Sequence, residues 1–458
     1  MRIVNLNPDT DIGASAWFVE MEGFKLLMDA GMHPKRDGRA ALPLYSAIEN
    51  EDLDALAITH CHHDHVGSVP VAMRYFPKAH VLMTELSRHI IGRVLHNSVN
   101  VMIRQREELG LQEYPFFNHE QVEDNEDQFQ GFKYNRAIDW GGAAKARSGR
   151  RSPDLEFFDA GHAFGSAGIL VRGKEQSLFY TGDVAFHDQT IQRGAQFSKV
   201  KADVLIMETT RGNRQNPPGF TREAEIARLT ESILRVLKRN GCVLMPAFAL
   251  GRTQEILALL AGLMASGRIP RQPIYIGGLG RIFTEIHDQK SYLINSLLPK
   301  LKLTRDLQLI VMDKDQTQTM KLSGGRIFVL TAGMLTECTP AHDLAVRMLG
   351  DERQGIFFVG YADVSTPGGR LKASKPGEIF VFSASAGEVT RRCEVEDFLL
   401  TAHAEREDLL DFVGQVSPKT VLLGHGEAAS RQWFEEQIHA RHPKIKIIQA
   451  APALNVEV

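Results

Sequence analysis

Four histidines and an aspartate crowd into six residues of this chain, His60-Cys-His62-His-Asp64-His65. The apolar run Ala55-Leu-Ala-Ile-Thr59 precedes them and predicts a strand that leads straight into the cluster. Neutral imidazole and carboxylate are the usual ligands of zinc-like ions. On extended backbone His60 and His62 can face one way, while Asp64 and His65 follow at a predicted helix start and can point to a second position. The cluster therefore predicts two cations a few ångströms apart.

An adventitious surface metal site is the main alternative, and three further candidate ligands argue against it. Each follows a predicted strand: His162 comes after Phe157-Phe-Asp-Ala-Gly, Asp183 after Phe179-Tyr-Thr-Gly and His425 after Val421-Leu-Leu-Gly. Taken alone each is weak, since Asp183 could be a turn residue and a lone histidine is more often structural. Together with the first cluster they complete two ligand sets.

The chain has 458 residues, more than one hydrophobic core usually serves, so we expect two domains. Hydrophobic residues make up 43% and charged residues 24%, which is typical of a soluble globular protein. The formal net charge of −3 gives no global sign of a polyanionic partner. A nucleic-acid site would therefore have to be a local basic patch.

The same sequence carries no apolar run long enough to span a bilayer and no signal-peptide core at its N-terminus. We therefore expect no membrane partner. Its four cysteines, Cys61, Cys242, Cys338 and Cys393, are scattered without paired spacing. This pattern favours reduced thiols in a cytoplasmic protein over a disulfide framework.

The sequence predicts two successive patterns of secondary structure along the chain. The first part alternates short apolar strands with turns, predicted at residues 17–20, 24–28, 55–59, 79–83, 168–172, 177–181 and 204–207. From residue 220 strands alternate with helices, which predicts a parallel sheet with helices on both faces. Its strands are predicted at residues 243–248, 273–276, 327–330, 356–359 and 379–382, and its first helices near 226–237 and 252–264. After residue 398 we expect helices at 404–413 and 427–440 and strands at 421–423 and 444–449.

One segment fits neither of these two patterns. Residues 120–127 are acidic, and basic residues follow among glycines: Lys133, Arg136, Lys145, Arg147, Arg150 and Arg151. We interpret the segment as an exposed, mobile loop with solvated charge. The alternative is a basic flap near the active site.

The histidine cluster resembles the second motif of the metallo-β-lactamase superfamily, and the likeness extends over the whole chain. Asp29 in Leu-Leu-Met-Asp-Ala-Gly resembles the first motif, His162 the third and Asp183 the fourth. The resemblance implies one metal held by His60, His62 and His162, a second held by Asp64, His65 and His425, and Asp183 bridging both. It also implies that Asp29 fixes the histidine loop by hydrogen bonds. Two Zn²⁺ ions are the expected cofactors, with Mn²⁺ as the alternative.

Further motifs resemble the β-CASP nucleases within that superfamily. Glu208-Thr-Thr210 is similar to their motif A, Leu400-Thr-Ala-His403-Ala to motif B, and His425 to motif C. The resemblance implies an α/β protein with a four-layer αββα metallo-β-lactamase domain over residues 1–209, closed again by 396–458. An inserted β-CASP domain, a parallel sheet flanked by helices, would span residues 210–395.

The expected chemistry is phosphodiester hydrolysis by a hydroxide that two metal ions generate from a shared water. Asp64, Asp183, Glu208 and His403 are the expected catalytic residues. His403 is the candidate general acid because imidazole titrates near neutral pH, and Glu208 could orient it and keep it charged. The alternative for His403 is a solvent-facing residue at a helix start. The alternative for Glu208 is a surface charge at a strand end.

Arg252 and Arg370 are candidate phosphate clamps. A planar guanidinium can grip two phosphate oxygens at once, and the neighbouring glycines let backbone approach the ligand. Structural salt bridges are an almost equal alternative. If both arginines bind phosphate, we expect the catalytic cleft between the two domains.

RNA hydrolysis is the expected function, with single-stranded RNA as partner and a homodimer left open. In the β-CASP branch a histidine at motif C is typical of the members that act on RNA, and this chain has His425. A DNA nuclease with the same mechanism is the first alternative. A small-molecule metallo-hydrolase is the second, although such enzymes lack the insert and motifs A and B. A pseudo-nuclease scaffold is the third, and the complete ligand sets disfavour it.

Overall fold

The short apolar runs of the first 210 residues form strands in the computed structural model, which describes residues 1–139, 153–383 and 387–458. The strands of this part are β1 Arg2–Asn5, β2 Trp17–Met21, β3 Phe24–Met28, β4 Ala55–Ala57, β5 His80–Thr84, β6 Phe129–Phe132, β7 Ile138–Asp139, β8 Asp154–Asp159, β9 Ala167–Arg172, β10 Ser177–Tyr180 and β11 Val204–Glu208. Its α-helices are α1 His63–Val66, α2 Val69–Tyr75, α3 Glu85–Arg88, α4 Ile91–Leu109 and α5 His119–Glu126, with 3₁₀ turns at Gly38–Ala41 and Tyr45–Ile48.

Strands and helices alternate in the middle of the chain. The elements are α6 Arg222–Lys238, β12 Val243–Pro246, α7 Arg252–Ala265, β13 Ile274–Gly277, α8 Gly278–Gln289, a 3₁₀ turn Ser291–Leu293, α9 Leu303–Asp306, β14 Leu309–Met312, α10 Lys314–Thr319, β15 Ile327–Leu330, α11 Pro340–Leu349, β16 Gly355–Phe358, α12 Pro367–Ala373, β17 Ile379–Val381, β18 Glu388–Thr390 and β19 Glu394–Asp397. The last part adds α13 Arg406–Val416, β20 Thr420–Gly424, α14 Ala428–Arg441, β21 Lys446–Ile448 and β22 Asn455–Glu457.

The described chain forms two compact units. Unit 1 comprises Met1–Asp188, Gly194–Gln215 and His403–Val458, and unit 2 comprises Gln189–Arg193 and Asn216–Ala402. The short piece Gln189–Arg193 belongs to unit 2 because the Glu255 carboxylate accepts hydrogen bonds from the backbone N–H groups of Thr190 and Ile191. The domain bounds predicted from the sequence differ from the bounds of these units by several residues. They remain a prediction.

Unit 1 is built on two seven-stranded sheets, ordered β22-β1-β2-β3-β4-β5-β6 and β21-β20-β11-β10-β9-β8-β7. A core that includes Trp17, Phe157 and Ile206 lies between the sheets. The outer face of the second sheet is covered by α13 and α14 through Phe412 and Phe434, and α3 packs on β5 and β6 of the first. This confirms the predicted four-layer αββα arrangement.

Unit 2 is built on a six-stranded parallel sheet, ordered β14-β13-β15-β12-β16-β19. Its four inner strands, β13, β15, β12 and β16, are buried on both faces, so they read as largely apolar runs. Helices α6 and α7 cover one face through Ile233 and Leu257, and α11 covers the other through Leu344. The predicted parallel sheet with flanking helices is confirmed.

The prediction is wrong for two segments. Residues 379–382 do not continue the parallel sheet, because among the described strands β17 pairs only with β18, in a separate two-stranded antiparallel sheet. Residues 120–127 are not a loop, because most of them form α5, closed by a capping box between Asn118 and Gln121 and anchored by buried Val122. Lys145, Arg147, Arg150 and Arg151, the basic residues of the predicted exposed loop and of its alternative, a basic flap, lie outside the described residues.

In the described ranges no helix is both long and apolar enough to cross a membrane.

Candidate metal centre and active site

Residues 60–65 follow the carboxyl end of β4 and are fixed by backbone hydrogen bonds to the loop after β3. The N–H of Ala30 donates to the His65 carbonyl at 2.9 Å, and that of Met32 to the His63 carbonyl at 3.1 Å. Between them, a Cβ on Gly31 would lie 1.7 Å from the Asp64 carbonyl oxygen. Only glycine permits this approach, so the backbone holds the histidine loop in place before any ligand binds.

Four candidate ligand atoms converge as a first set, within 4.8 Å of one another: His60 Nε2, His62 Nδ1, His162 Nε2 and Asp183 Oδ2. The His62 nitrogen lies 3.1 Å from that of His60 and 3.2 Å from that of His162. The Asp183 oxygen lies 3.6 Å from His60 Nε2 and 3.7 Å from His162 Nε2.

A second set forms on the other side of Asp183. Oδ2 of Asp64 lies 3.8 Å from both His65 Nε2 and His425 Nε2. The second carboxylate oxygen of Asp183, Oδ1, lies 3.5 Å from His65 Nε2 and 3.2 Å from His425 Nε2. The two oxygens of Asp183 are therefore divided between the two sets, which is the arrangement of a bridging carboxylate.

Two candidate ligand atoms of the second set have unsatisfied hydrogen-bonding capacity. Nε2 of His65 and Oδ1 of Asp183 are buried and have no hydrogen-bond partner among the described residues. A buried polar atom left in this state costs roughly 1–3 kcal/mol. Imidazole nitrogens and carboxylate oxygens are the ligands that zinc-like divalent ions prefer. The residues present therefore fit a divalent metal centre.

Asp29, for which the resemblance implies a supporting role, lies behind the candidate ligands and forms hydrogen bonds with four groups. Its carboxylate lies 2.8 Å from His65 Nδ1 and accepts from the N–H and hydroxyl of Thr59. It also accepts from the Tyr180 hydroxyl at 3.0 Å. These bonds fix the ring of His65 so that Nε2 faces Asp183.

Ser15 is a supporting residue that the sequence analysis misses. Its hydroxyl oxygen lies 3.0 Å from His425 Nδ1, so it orients His425 as Asp29 orients His65. A serine in the run Gly-Ala-Ser-Ala carries no sequence signal for this role, because the contact joins residues 410 positions apart. Tyr180 and Thr59 lie in segments that the sequence analysis quotes, but it gives them no role.

Glu208 and His403 form a pair beside the metal ligands. Nδ1 of His403 lies 3.1 Å from the carboxylate of Glu208, and its ring centroid lies 4.6 Å from that of His162. The Glu208 side chain is 1% exposed and that of His403 21% exposed. Burial at the end of β11 excludes the interpretation of Glu208 as a surface charge.

Charges in the site shift the ionisation of its groups. Burial lowers the pKa of His60 well below its ordinary value, and the imidazoles of His65 and His62 lower it further. Burial also lowers the pKa of His65, but the carboxylates of Asp183 and Asp29 outweigh it and hold that pKa well above its ordinary value. This excess of carboxylates favours positive charge at the second ligand set.

His403 responds to its partner in the same way. Burial lowers the pKa of His403, but the charge and hydrogen bond of Glu208 outweigh burial and raise it, while Arg211 opposes the rise. A raised pKa favours the protonated imidazole near neutral pH. The pair can therefore hold a proton beside the metal ligands.

Arg252 is placed in unit 2 with its guanidinium turned inward. The residue is 6% exposed, and its side chain donates to Gln189 and to the backbone carbonyls of Val359 and Leu400. Burial lowers its pKa to about 10. These contacts favour a structural role for Arg252. Its partners are carbonyl groups, and not a carboxylate as in the salt bridge that was the alternative interpretation. The phosphate role remains a prediction.

Arg370 differs from Arg252 because it is exposed on α12. Its guanidinium donates to the carbonyls of Val381 and Phe382 at 3.1 and 2.9 Å and lies 5.6 Å from the ring centroid of Phe380. An exposed guanidinium can add a ligand to such contacts. Its phosphate role also remains a prediction.

Three family models match consecutive parts of the chain. The metallo-beta-lactamase superfamily model matches residues 9–135, and the Beta-Casp domain model matches residues 253–371. The third, a Zn-dependent metallo-hydrolase RNA specificity domain, matches residues 388–449. The models follow the order that the motifs predict.

Curated relatives resemble the chain along almost all of its length. Cleavage and polyadenylation specificity factor subunit 3 of Dictyostelium discoideum is 26% identical over 100% of this chain and 57% of its own length. Endoribonuclease YSH1 of Saccharomyces cerevisiae is 25% identical over 97% of the chain and 58% of its own. The chain thus spans under three-fifths of these two relatives. Probable RNase MJ4 of Methanocaldococcus jannaschii is 26% identical over 97% of the chain and 99% of its own length.

A solved structure shares the fold. It is described as a protein of unknown function from Enterococcus faecalis V583, with a TM-score of 0.58 and 13% sequence identity, over 100% of this chain and 99% of that one.

Proposed function

Since the chain belongs to the metallo-β-lactamase superfamily and to its β-CASP branch, we propose that it is a divalent-metal-dependent ribonuclease that hydrolyses RNA phosphodiester bonds. One observation carries the proposal: the two oxygens of Asp183 are divided between two converging ligand sets, directly beside the Glu208–His403 pair. The relatives described as endoribonucleases support cleavage at internal bonds.

The proposed cofactors are two zinc ions. His60, His62 and His162 would hold one, Asp64, His65 and His425 the other, and Asp183 would bridge them. Bound there, two such ions supply an acidified water and offset the negative charge that gathers on the phosphate.

His403 would act as the general acid. Its Nδ1 faces Glu208, so we assign Nε2 to the transfer of a proton to the leaving ribose oxygen. Glu208 stabilises the charged imidazole and fixes its orientation, as a carboxylate does for other catalytic histidines. The raised pKa of His403 supports this assignment, because the acid must carry its proton when substrate binds.

Single-stranded RNA is the proposed substrate form, and the cytoplasm the proposed location. Cys61, Cys242, Cys338 and Cys393 form no disulfide bond with one another, which is typical of a reducing compartment.

The test compares an end-labelled single-stranded RNA with a DNA of the same sequence, using protein purified without chelator. We expect internal cleavage of the RNA only, and no cleavage by Asp183→Ala. Equal cleavage of both strands would favour the DNA-nuclease alternative. If neither strand is cut and a small ester or lactone is hydrolysed, the nuclease proposal is wrong.

A further inference from the structure

A large groove in unit 2 has no part in the proposed chemistry. It lies between α7 and residues 297–308 and has a volume of about 960 Å³. We call it the α7 groove; it is lined by Ala258, Ala261, Gly262, Met264, Ala265, Arg271, Gln272, residues 297–301 and residues 305–308. A space of this size is at the upper end of what small-ligand pockets usually offer.

The floor of the α7 groove is one face of α7, and its accessible side chains are small. Ala261, Gly262 and Ala265 are accessible there, whereas Ala258 and Met264 also line the groove but are buried. Gly262 is exposed, and a Cβ built on it would meet no atom within 4 Å. The accessible part of the floor runs from Ala261 to Ala265, about one turn of α7 or 6 Å, so the backbone of another chain could approach it closely along this length.

The walls of the α7 groove are apolar and its rim is positive. Leu297, Leu298, Leu301 and Leu307 line the walls, and Leu298 is 38% exposed. These side chains offer apolar contacts to a ligand in the groove.

The rim carries three positively charged side chains and one carboxylate. Arg305 pairs with Asp306. Arg271 and Lys300 are exposed, and neither forms an ion pair within the described part of the chain. The rim therefore offers two uncompensated positive charges to a ligand.

We propose that the α7 groove is a docking site for an acidic amphipathic helix of a partner protein. Apolar residues at positions i, i+3 or i+4, and i+7 of such a helix would contact the leucine walls, while the small floor lets its backbone lie close. Asp or Glu residues flanking the apolar stripe would reach Arg271 and Lys300, which sets the register and disfavours basic partners.

A single-stranded RNA is the other polyanion that the rim could attract, and the lining disfavours it. Single-stranded nucleic acid usually binds by stacking its bases on aromatic side chains. Within the described residues, the α7 groove is lined by aliphatic, amide and charged side chains and by no aromatic one. The apolar complementarity favours a peptide.

The test is a display selection of helix-forming peptides of about 15 residues on the intact wild-type protein. Counter-selection uses Gly262→Trp, which fills the open space over the floor. Leu234→Trp is the matched control, since it adds the same side chain at an exposed position of α6 outside the groove. The double variant Arg271→Glu, Lys300→Glu changes only exposed rim charges, and keeps the test decisive if Gly262→Trp fails to fold.

We expect enriched peptides to carry apolar residues at helical spacing with Asp or Glu beside them. Their affinity should fall about tenfold or more for Gly262→Trp and for the rim variant, and stay unchanged for Leu234→Trp. Failure to enrich peptides, enrichment of basic peptides, or equal binding to all variants would overturn the proposal. A single-stranded RNA probe is measured on the same variants, and a matching tenfold loss of RNA binding would make the groove an RNA site and overturn it as well.

Discussion

Nδ1 of His403 lies 3.1 Å from Oε2 of Glu208, and the other oxygen of that carboxylate, Oε1, accepts a hydrogen bond from the Val184 N–H at 2.6 Å. One side chain thus holds both the candidate general acid and the residue that directly follows Asp183. These two roles can be separated by substitution.

Glu208→Gln keeps an oxygen for the Val184 N–H but removes the charge that favours protonated His403. We expect the single-turnover rate on RNA to fall by roughly 10²- to 10⁴-fold with metal content unchanged. Glu208→Ala also frees the segment that carries Asp183, so metal content should fall with the rate. Mass spectrometry for metals and quenched-flow cleavage measure both quantities. Equal metal loss in the two variants would show that the carboxylate does not have separable roles.

Asp64 and Asp183 should differ in the number of ions that their loss releases. Asp64→Ala leaves the His60, His62 and His162 set intact, so we expect about one of two metal equivalents to remain. Asp183→Ala alters both sets and should lower the content further. Both variants should stay folded by circular dichroism and lose RNA cleavage, because each substitution removes a candidate metal ligand and no apolar side chain of the core. Near wild-type turnover in either variant would contradict the ligand assignment.

Ser15→Ala should weaken metal binding without touching a ligand. It removes the hydroxyl 3.0 Å from His425 Nδ1, and loss of such a supporting bond typically lowers metal affinity by roughly 10–100-fold. Competition with a chelator of known affinity measures the change. Ser98→Ala is the matched control, because that buried hydroxyl donates to the Val94 carbonyl within α4. An equal effect of both substitutions would indicate general loosening of the fold.

Arg252→Ala should destabilise unit 2. It removes the donor to two backbone carbonyls in the interior, and each buried acceptor left without a donor costs roughly 1–3 kcal/mol. We therefore expect the urea midpoint to fall clearly below that of Arg370→Ala, whose side chain is exposed. Similar midpoints would contradict the structural role of Arg252.

Arg370→Ala should instead weaken RNA binding. If the guanidinium contacts a phosphate, its loss lowers affinity and flattens the dependence of affinity on salt concentration, since one contact fewer releases counterions. Fluorescence anisotropy at several salt concentrations measures the slope, with metal content as control. An unchanged slope would remove Arg370 from the phosphate contacts.

The convergence of the candidate metal ligands could be predicted from the sequence because they follow apolar strands, so that a local pattern reports a three-dimensional position. His162, Asp183 and His425 all follow buried strands of one sheet, β8, β10 and β20. The second role of Glu208 could not be predicted in this way. It depends on β11 lying beside β10, which brings Val184 to the carboxylate, and no local pattern encodes that neighbour.

The burial of a side chain also cannot be predicted from a local sequence pattern. Arg252 follows a glycine in a motif that suits phosphate binding as well as it suits a helix start, and only the packed structure shows its side chain turned inward. The helix α4 was missed although Leu95, Val99 and Met102 recur at helical spacing and are buried. Its other positions are largely polar, which weakens the apolar signal in a short window.

Unit 1 is interrupted in the sequence by Asn216–Ala402, and this order has a consequence during synthesis. A ribosome delivers the first sheet strands and His60–His65 early, but His403 and His425 only after nearly all of unit 2. A nascent or truncated chain that ends before His403 therefore lacks both the candidate proton donor and a candidate ligand of the second set. We expect translation fragments ending there to be inert toward RNA, so that an unfinished copy cannot cut the message from which it is being read.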